Sequence, residues 1–156
     1  MAKVKHYLLD EITEDDFSII AFHSSYEGYL LAFHLNTHCG CQFVKSKKKK
    51  QDHQSEHPFE SFEWIDSIKG IEVRFFSNKY KIMQNDDQKG TSLFDLPETK
   101  ELYLVQDLKD ADYIIKINSG IEVQFLIEQM ESIDEISYRF IPDKSQLNLD
   151  FSINID

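Results

Sequence analysis

The sequence predicts an α+β domain: a mainly antiparallel sheet with two helices packed on one face, assembled from two βαβ-like (ferredoxin-like) units. Three observations carry this. Short apolar runs of strand length recur along the chain. Two stripes of apolar residues repeat at helical spacing, each after such a run. The links between the middle runs are too short for crossover helices, so those strands pair antiparallel. The chain has 156 residues, 41% hydrophobic and 13% aromatic. That is enough material to bury one core, and residues 1–156 read as a single domain.

The first unit runs from Phe17 to Val44. Phe17-Ser18-Ile19-Ile20-Ala21-Phe22 has the length and apolarity of a strand. Ser24 or Ser25 offers an N-cap, with Glu27 in the first turn. Tyr26, Leu30 and Phe33, with Leu31 and Leu35, form an apolar stripe at spacings of three and four. Gly40 suits the left-handed position that ends a helix. Cys41-Gln42-Phe43-Val44 is expected to begin a second strand.

Residues 45–58 are expected to form a flexible, lysine-rich loop. Lys45, Lys47, Lys48, Lys49 and Lys50 form a basic run with no acid inside it. Beyond it, Phe59 to Trp64 and Ile71 to Phe76 alternate as strands do, with a turn at Lys69-Gly70 between them. Tyr80-Lys81-Ile82-Met83 and Leu102-Tyr103-Leu104-Val105 read as further strands. Asn85 to Gly90 reads as a polar turn.

The second unit runs from Ala111 to Phe140 and repeats the plan of the first. Tyr113 to Ile117 is a strand and Asn118-Ser119-Gly120 a turn. Val123, Leu126, Ile127, Met130 and Ile133 share a helical face. Ile136 to Phe140 alternates as a strand, and Pro142 discourages further pairing.

The net charge is −11. Setting aside the five lysines of the loop leaves 12 of the 17 basic residues against 28 acidic ones, a balance of −16. Such a field repels duplex nucleic acid and anionic membranes and attracts basic partners. No stretch has the ~20 apolar residues of a membrane span. The opening residues lack the apolar core of a secretory signal, so a cytoplasmic location is expected. Cys39 and Cys41 stand too close together for an ordinary disulfide and read as reduced thiols.

The candidate metal ligands are His34 and His38, four apart, followed by Cys39 and Cys41. Imidazole and thiolate are the ligands zinc prefers, but C-x-C is not the spacing of common zinc modules. A histidine in the last turn of a helix is accounted for by the helix dipole, and a buried thiol by packing. No metal and no cofactor is therefore assigned. The chain carries no G-x-S-x-G elbow and no P-loop, and five glycines are few for a phosphate cradle. No catalytic residue is named on these grounds.

Residues 105–113 read Val-Gln-Asp-Leu-Lys-Asp-Ala-Asp-Tyr. The stretch resembles the signature of the IPExxxVDY family of Bacteroidota: Ile-Pro-Glu, three free residues, then Val-Asp-Tyr. Val105, Gln106 and Asp107 stand at the first three positions and Ala111 at the valine, while Asp112 and Tyr113 match outright. The opening Leu-Leu-Asp and the aromatic helix running to Leu35-Asn36 are similar too. The resemblance implies no settled chemistry. Asp112 is expected to accept hydrogen bonds at a strand entrance, and Tyr113 to start a core strand with its hydroxyl at the surface.

With segregated charge and no catalytic set, the sequence points to a non-enzymatic protein-binding or adaptor protein, recruited through a sheet edge, the acidic surface or the possible interaction loop of Lys45, Lys47, Lys48, Lys49 and Lys50. The alternative is a regulatory small-molecule-binding domain of the ACT/ferredoxin-like kind. A protein partner is expected, and a homodimer stays open.

Overall fold

The computed structural model describes residues 17–47, 59–84 and 98–147. Strand β1 (Ser18–His23) leads into helix α1 (Gly28–Cys39) and then into the two-residue strand β2 (Val44–Lys45). Strands β3 (Ser61–Asp66) and β4 (Ile71–Ser77) form a hairpin. Strands β5 (Lys79–Gln84) and β6 (Glu98–Tyr103) pair as a separate two-stranded sheet. Strand β7 (Tyr113–Ser119), helix α2 (Val123–Gln129) and strand β8 (Tyr138–Phe140) follow.

The main sheet has the order β2-β3-β4-β7-β1-β8, with every neighbouring pair antiparallel. These pairings make β1 parallel to β4 with β7 between them, and β7 parallel to β8 with β1 between them. Alternation along the strands sends Ile20, Phe22, Phe62, Trp64, Val73, Phe75, Ile115 and Ile117 to one face. Both helices pack there, through Leu31, Ala32 and Leu35 of α1 and Leu126 of α2, joined by Met130, Ile133 and Ile136 beyond α2. Phe75 lies at the centre, its ring 5.3–5.9 Å from those of Phe22, Phe43, Phe62 and Tyr113. The α+β class, the antiparallel sheet and the two helices on one face are as the sequence predicts.

Among the described residues, no α-helix covers the opposite face. Phe17, Ile19, Ala21, Phe76 and Ile114 are covered by Val105, Leu108 and Ala111, which belong to the irregular segment after β6. That segment contains a 3-10 turn at Gln106–Leu108. It is wrapped around Asn78, which is fully buried. Asn78 Nδ2 donates to the carbonyls of Leu108 (2.8 Å) and Ala111 (2.9 Å), and its Oδ1 accepts from Val105 N–H (2.8 Å). Its backbone bonds Asp112 O and Leu104 N–H. A buried amide must fill its hydrogen-bonding capacity, and here one side chain fixes both ends of a seven-residue loop.

Several local expectations are corrected. The N-cap of α1 is Glu27, in extended conformation, and neither Ser24 nor Ser25 caps the helix. β1 runs to His23, so four residues are needed to turn the chain, and Ser24 Oγ is spent on Tyr26 N–H and Glu135 O. Gly40 does close α1 in the left-handed conformation, φ 68°. The strand expected from Cys41 starts only at Val44. Phe43 is kept out of the ladder because Asn36 takes both its backbone groups, N–H at 2.8 Å and C=O at 3.1 Å. The basic loop is expected from residue 45, but Lys45 is a strand residue opposite Phe62. Lys48, Lys49, Lys50 and the rest of the loop to residue 58 lie outside the described residues, as does the turn expected at 85–90. Val105 is expected in β6, but its N–H belongs to Asn78 and the strand ends at Tyr103. The turn expected at Asn118-Ser119 is strand, and Gly120, φ 91°, makes the bend. β8 begins at Tyr138 rather than Ile136.

Candidate functional site

The outer side of α1 differs from the rest of the surface. From Phe17 to Val44 a single formal charge occurs, Glu27, in a chain whose residues are 29% charged. α1 itself carries no Lys, Arg, Asp or Glu. A surface helix ordinarily turns a charged face to water. Here Leu31, Ala32 and Leu35 face the sheet, while Tyr29 is 56% and Phe33 62% exposed. Tyr26, just before the helix, is exposed too. Positions 29 and 33 share a face at a spacing of four. The Tyr26 ring lies 6.4 Å from His34, and His34 lies 5.7 Å from Phe33 and 5.8 Å from His38. Tyr26, Phe33, His34 and His38 thus form a connected run of rings, and Tyr29, one turn before Phe33, adds a fifth to this aromatic surface. Its three apolar members expose roughly 300 Å², given about 200 Å² per aromatic side chain.

The strip is anchored at the N-terminal end of the helix. Tyr113 OH donates to Tyr26 O (2.7 Å), which ties β7 to the entry of α1. Burial, with Glu60, Asp112 and Glu27 nearby, pushes the Tyr113 hydroxyl up to about 12. Asp112 is the hub beside it. Its Oδ2 accepts from Ser24 N–H (3.0 Å) and lies 3.7 Å from His23 Nδ1, while Oδ1 lies 3.0 Å from Lys79 Nζ. That hydrogen bond holds the Lys79 ammonium above the usual lysine range. Asp112 thus ties β1, β5 and β7 together where they meet.

Of the residues matching the family signature, Val105 and Ala111 are buried under the sheet and Gln106 and Asp107 are exposed on the 3-10 turn. Asp112 and Tyr113 hold the strand entrance and the helix entry. Within this stretch Asn78 bonds the backbone of Val105, Leu108, Ala111 and Asp112.

The candidate metal ligands are only partly brought together. His34 and His38 stack nearly parallel, with 12° between their planes, and His34 Nε2 lies 3.7 Å from Glu135 Oε1. Cys39 and Cys41 turn inward to the core. Burial pushes their thiols up to about 11 and about 12, and for Cys41 the neighbouring Cys39 adds to it. The thiolate is the form that binds metal. No three His, Cys, Asp or Glu side chains converge to hold a metal ion among the described residues. Of the basic run, Lys45 Nζ reaches Glu60 Oε1 at 3.9 Å and Lys47 is exposed.

Two structural features escape a reading by local motif. Asn78 leaves no sequence signal, because its side-chain partners lie 27 to 33 residues away. The charge-free stretch around α1 is a visible signal, in the charges that are missing. No helix among the described residues is long and apolar enough to cross a membrane. No family model, no curated protein and no solved structure matches the chain.

Proposed function

We propose that the protein is a non-enzymatic protein-binding or adaptor module whose contact surface is the outer side of α1. One observation carries this reading: an exposed strip of Tyr26, Tyr29 and Phe33, with Glu27 the single formal charge between Phe17 and Val44, on a strongly acidic chain. Water-exposed aromatic surface of a few hundred Å² marks sites where another molecule docks, and aromatic side chains dominate the energetics of such contacts. A reducing compartment such as the cytoplasm suits the free thiols Cys39 and Cys41. We also place the chain as a diverged relative of the IPExxxVDY family. What supports this is that Asp112 and Tyr113, the two positions identical to the signature, each hold long-range contacts at the entrance of β7.

The test is an affinity pull-down of the tagged chain from lysate of its own source, beside the Tyr29→Ser/Phe33→Ser variant. A stoichiometric partner captured by the natural chain and lost with the variant supports the reading. Equal capture by both chains sinks it.

A second reading rests on the strand order β8-β1-β7-β4, with α1 and α2 as its two connections. That order is the one a ferredoxin-like unit has, and such units serve as regulatory ligand-binding domains. A ligand-induced rise in melting temperature from a metabolite screen is the measurement that favours it.

A further inference from the structure

The aromatic strip has acidic flanks, and these say what it would receive. Glu27 stands at the N-cap of α1. Glu60 lies against the first turn: a Cβ placed on Gly28 would come within 2.9 Å of Glu60 Oε2. On the other side, Glu135 reaches within 3.7 Å of His34 Nε2, and Glu131 and Asp134 are exposed in the segment just before it. No Lys or Arg lies between Phe17 and Val44 to balance them. Two of these carboxylates have cationic partners, Glu60 with Lys45 and Glu131 with Arg139 at 3.0 Å. The field along α1 is still negative on both sides of a neutral, aromatic centre.

Resting on the reading of α1 as a contact surface, we infer that its occupant is a basic amphipathic helix of a partner protein. Apolar anchors at positions i, i+3, i+4 and i+7 of that helix meet Tyr26, Tyr29 and Phe33. Lysines or arginines on its flanks meet Glu27, Asp134 and Glu135. The twelve residues of α1 span about 18 Å, which three turns of a partner helix cover. A second copy of this chain is the wrong partner. It brings the same carboxylates and a net charge of −11, so like charges are set against like across a two-fold contact.

The experiment uses the full chain and a defined probe: a synthetic 18-residue peptide of leucine and lysine patterned as an amphipathic helix. The same pattern in leucine and glutamate is the control. Binding is read by isothermal titration at low and moderate salt. The lysine peptide is expected to bind and the glutamate peptide not to. Tyr29→Ser/Phe33→Ser should weaken binding at least about ten-fold, as loss of aromatic anchors does. Glu27→Gln/Glu135→Gln should weaken it and flatten its dependence on salt. Ile68→Ser, in the β3–β4 turn and 96% exposed, should change nothing. All these side chains are exposed or half-exposed, and circular dichroism of each variant checks that it is folded.

Binding of both peptides overturns the inference, as does binding of neither. Binding of the lysine peptide that ignores Tyr29→Ser/Phe33→Ser also overturns it, because the net charge alone then explains it. A dimer in sedimentation that the same variant dissolves makes the occupant a second copy, and overturns it too. A lysate partner that needs Phe33, together with a lysine peptide that does not bind, leaves the protein-binding reading standing and removes this one.

Discussion

The two faces of the main sheet are closed in different ways. One is covered by α1 and α2, whose Leu31, Leu35 and Leu126 meet an aromatic layer centred on Phe75. The other is covered by an irregular loop that a single polar side chain, Asn78, holds in place. The helical cover satisfies its own backbone hydrogen bonds and contributes apolar area. The loop has few bonds of its own and borrows them from Asn78. The first cover is therefore lost by making a cavity, the second by removing an amide.

The largest effect is expected at the helical face. Phe75→Ala removes the ring that four other aromatics touch and should cost about 4 kcal/mol, read from the urea midpoint. A cost under about 1 kcal/mol would mean that this layer is not the main core.

Asn78→Ala comes next, at about 3 kcal/mol, because it strands Val105 N–H and the carbonyls of Leu108 and Ala111. The comparison is sharpened by hydrogen exchange. The amides of residues 105–111 should lose protection in this variant while those of β7 keep theirs. Equal loss in both would show that the two faces do not open separately.

Tyr113→Phe is the smallest, about 1 kcal/mol for its bond to Tyr26 O. Its sign with pH follows from the raised pKa. The folded state keeps the phenolic proton up to about 12 while the unfolded chain gives it up near 10. The contribution of Tyr113 to stability is therefore constant below pH 10 and falls between 10 and 12, where the unfolded chain binds fewer protons. Ultraviolet titration should show one fewer tyrosine ionising near pH 12 in the variant than in the natural chain.

How much of this was legible follows from the kind of signal each residue leaves. β1, β3, β4 and β7 announce themselves because alternation or apolar runs are local. The inward side of α2 is legible for the same reason, since Leu126, Met130 and Ile133 are all buried. α1 is different. Its sequence is apolar nearly all round, so periodicity sets Tyr26 and Phe33 beside Leu31 and Leu35 without saying which side meets the sheet. Ala32, small enough to lie close to the strands, is buried, and Phe33 next to it faces water. The candidate surface stayed hidden because its residues read as core. Asn78 was illegible in another sense: a lone asparagine between strand-like runs looks like a turn, and its role exists only once residues 105 and 111 have arrived.

The edges of the main sheet are short. β2 offers two residues and β8 three, and continuing the β8 register sets Pro142, which has no N–H to give, opposite Ile19. Such margins are poor templates for a foreign strand. A partner strand is therefore not expected to pair along β2 or β8, and what docks at these two margins is held by side chains instead of by borrowed backbone.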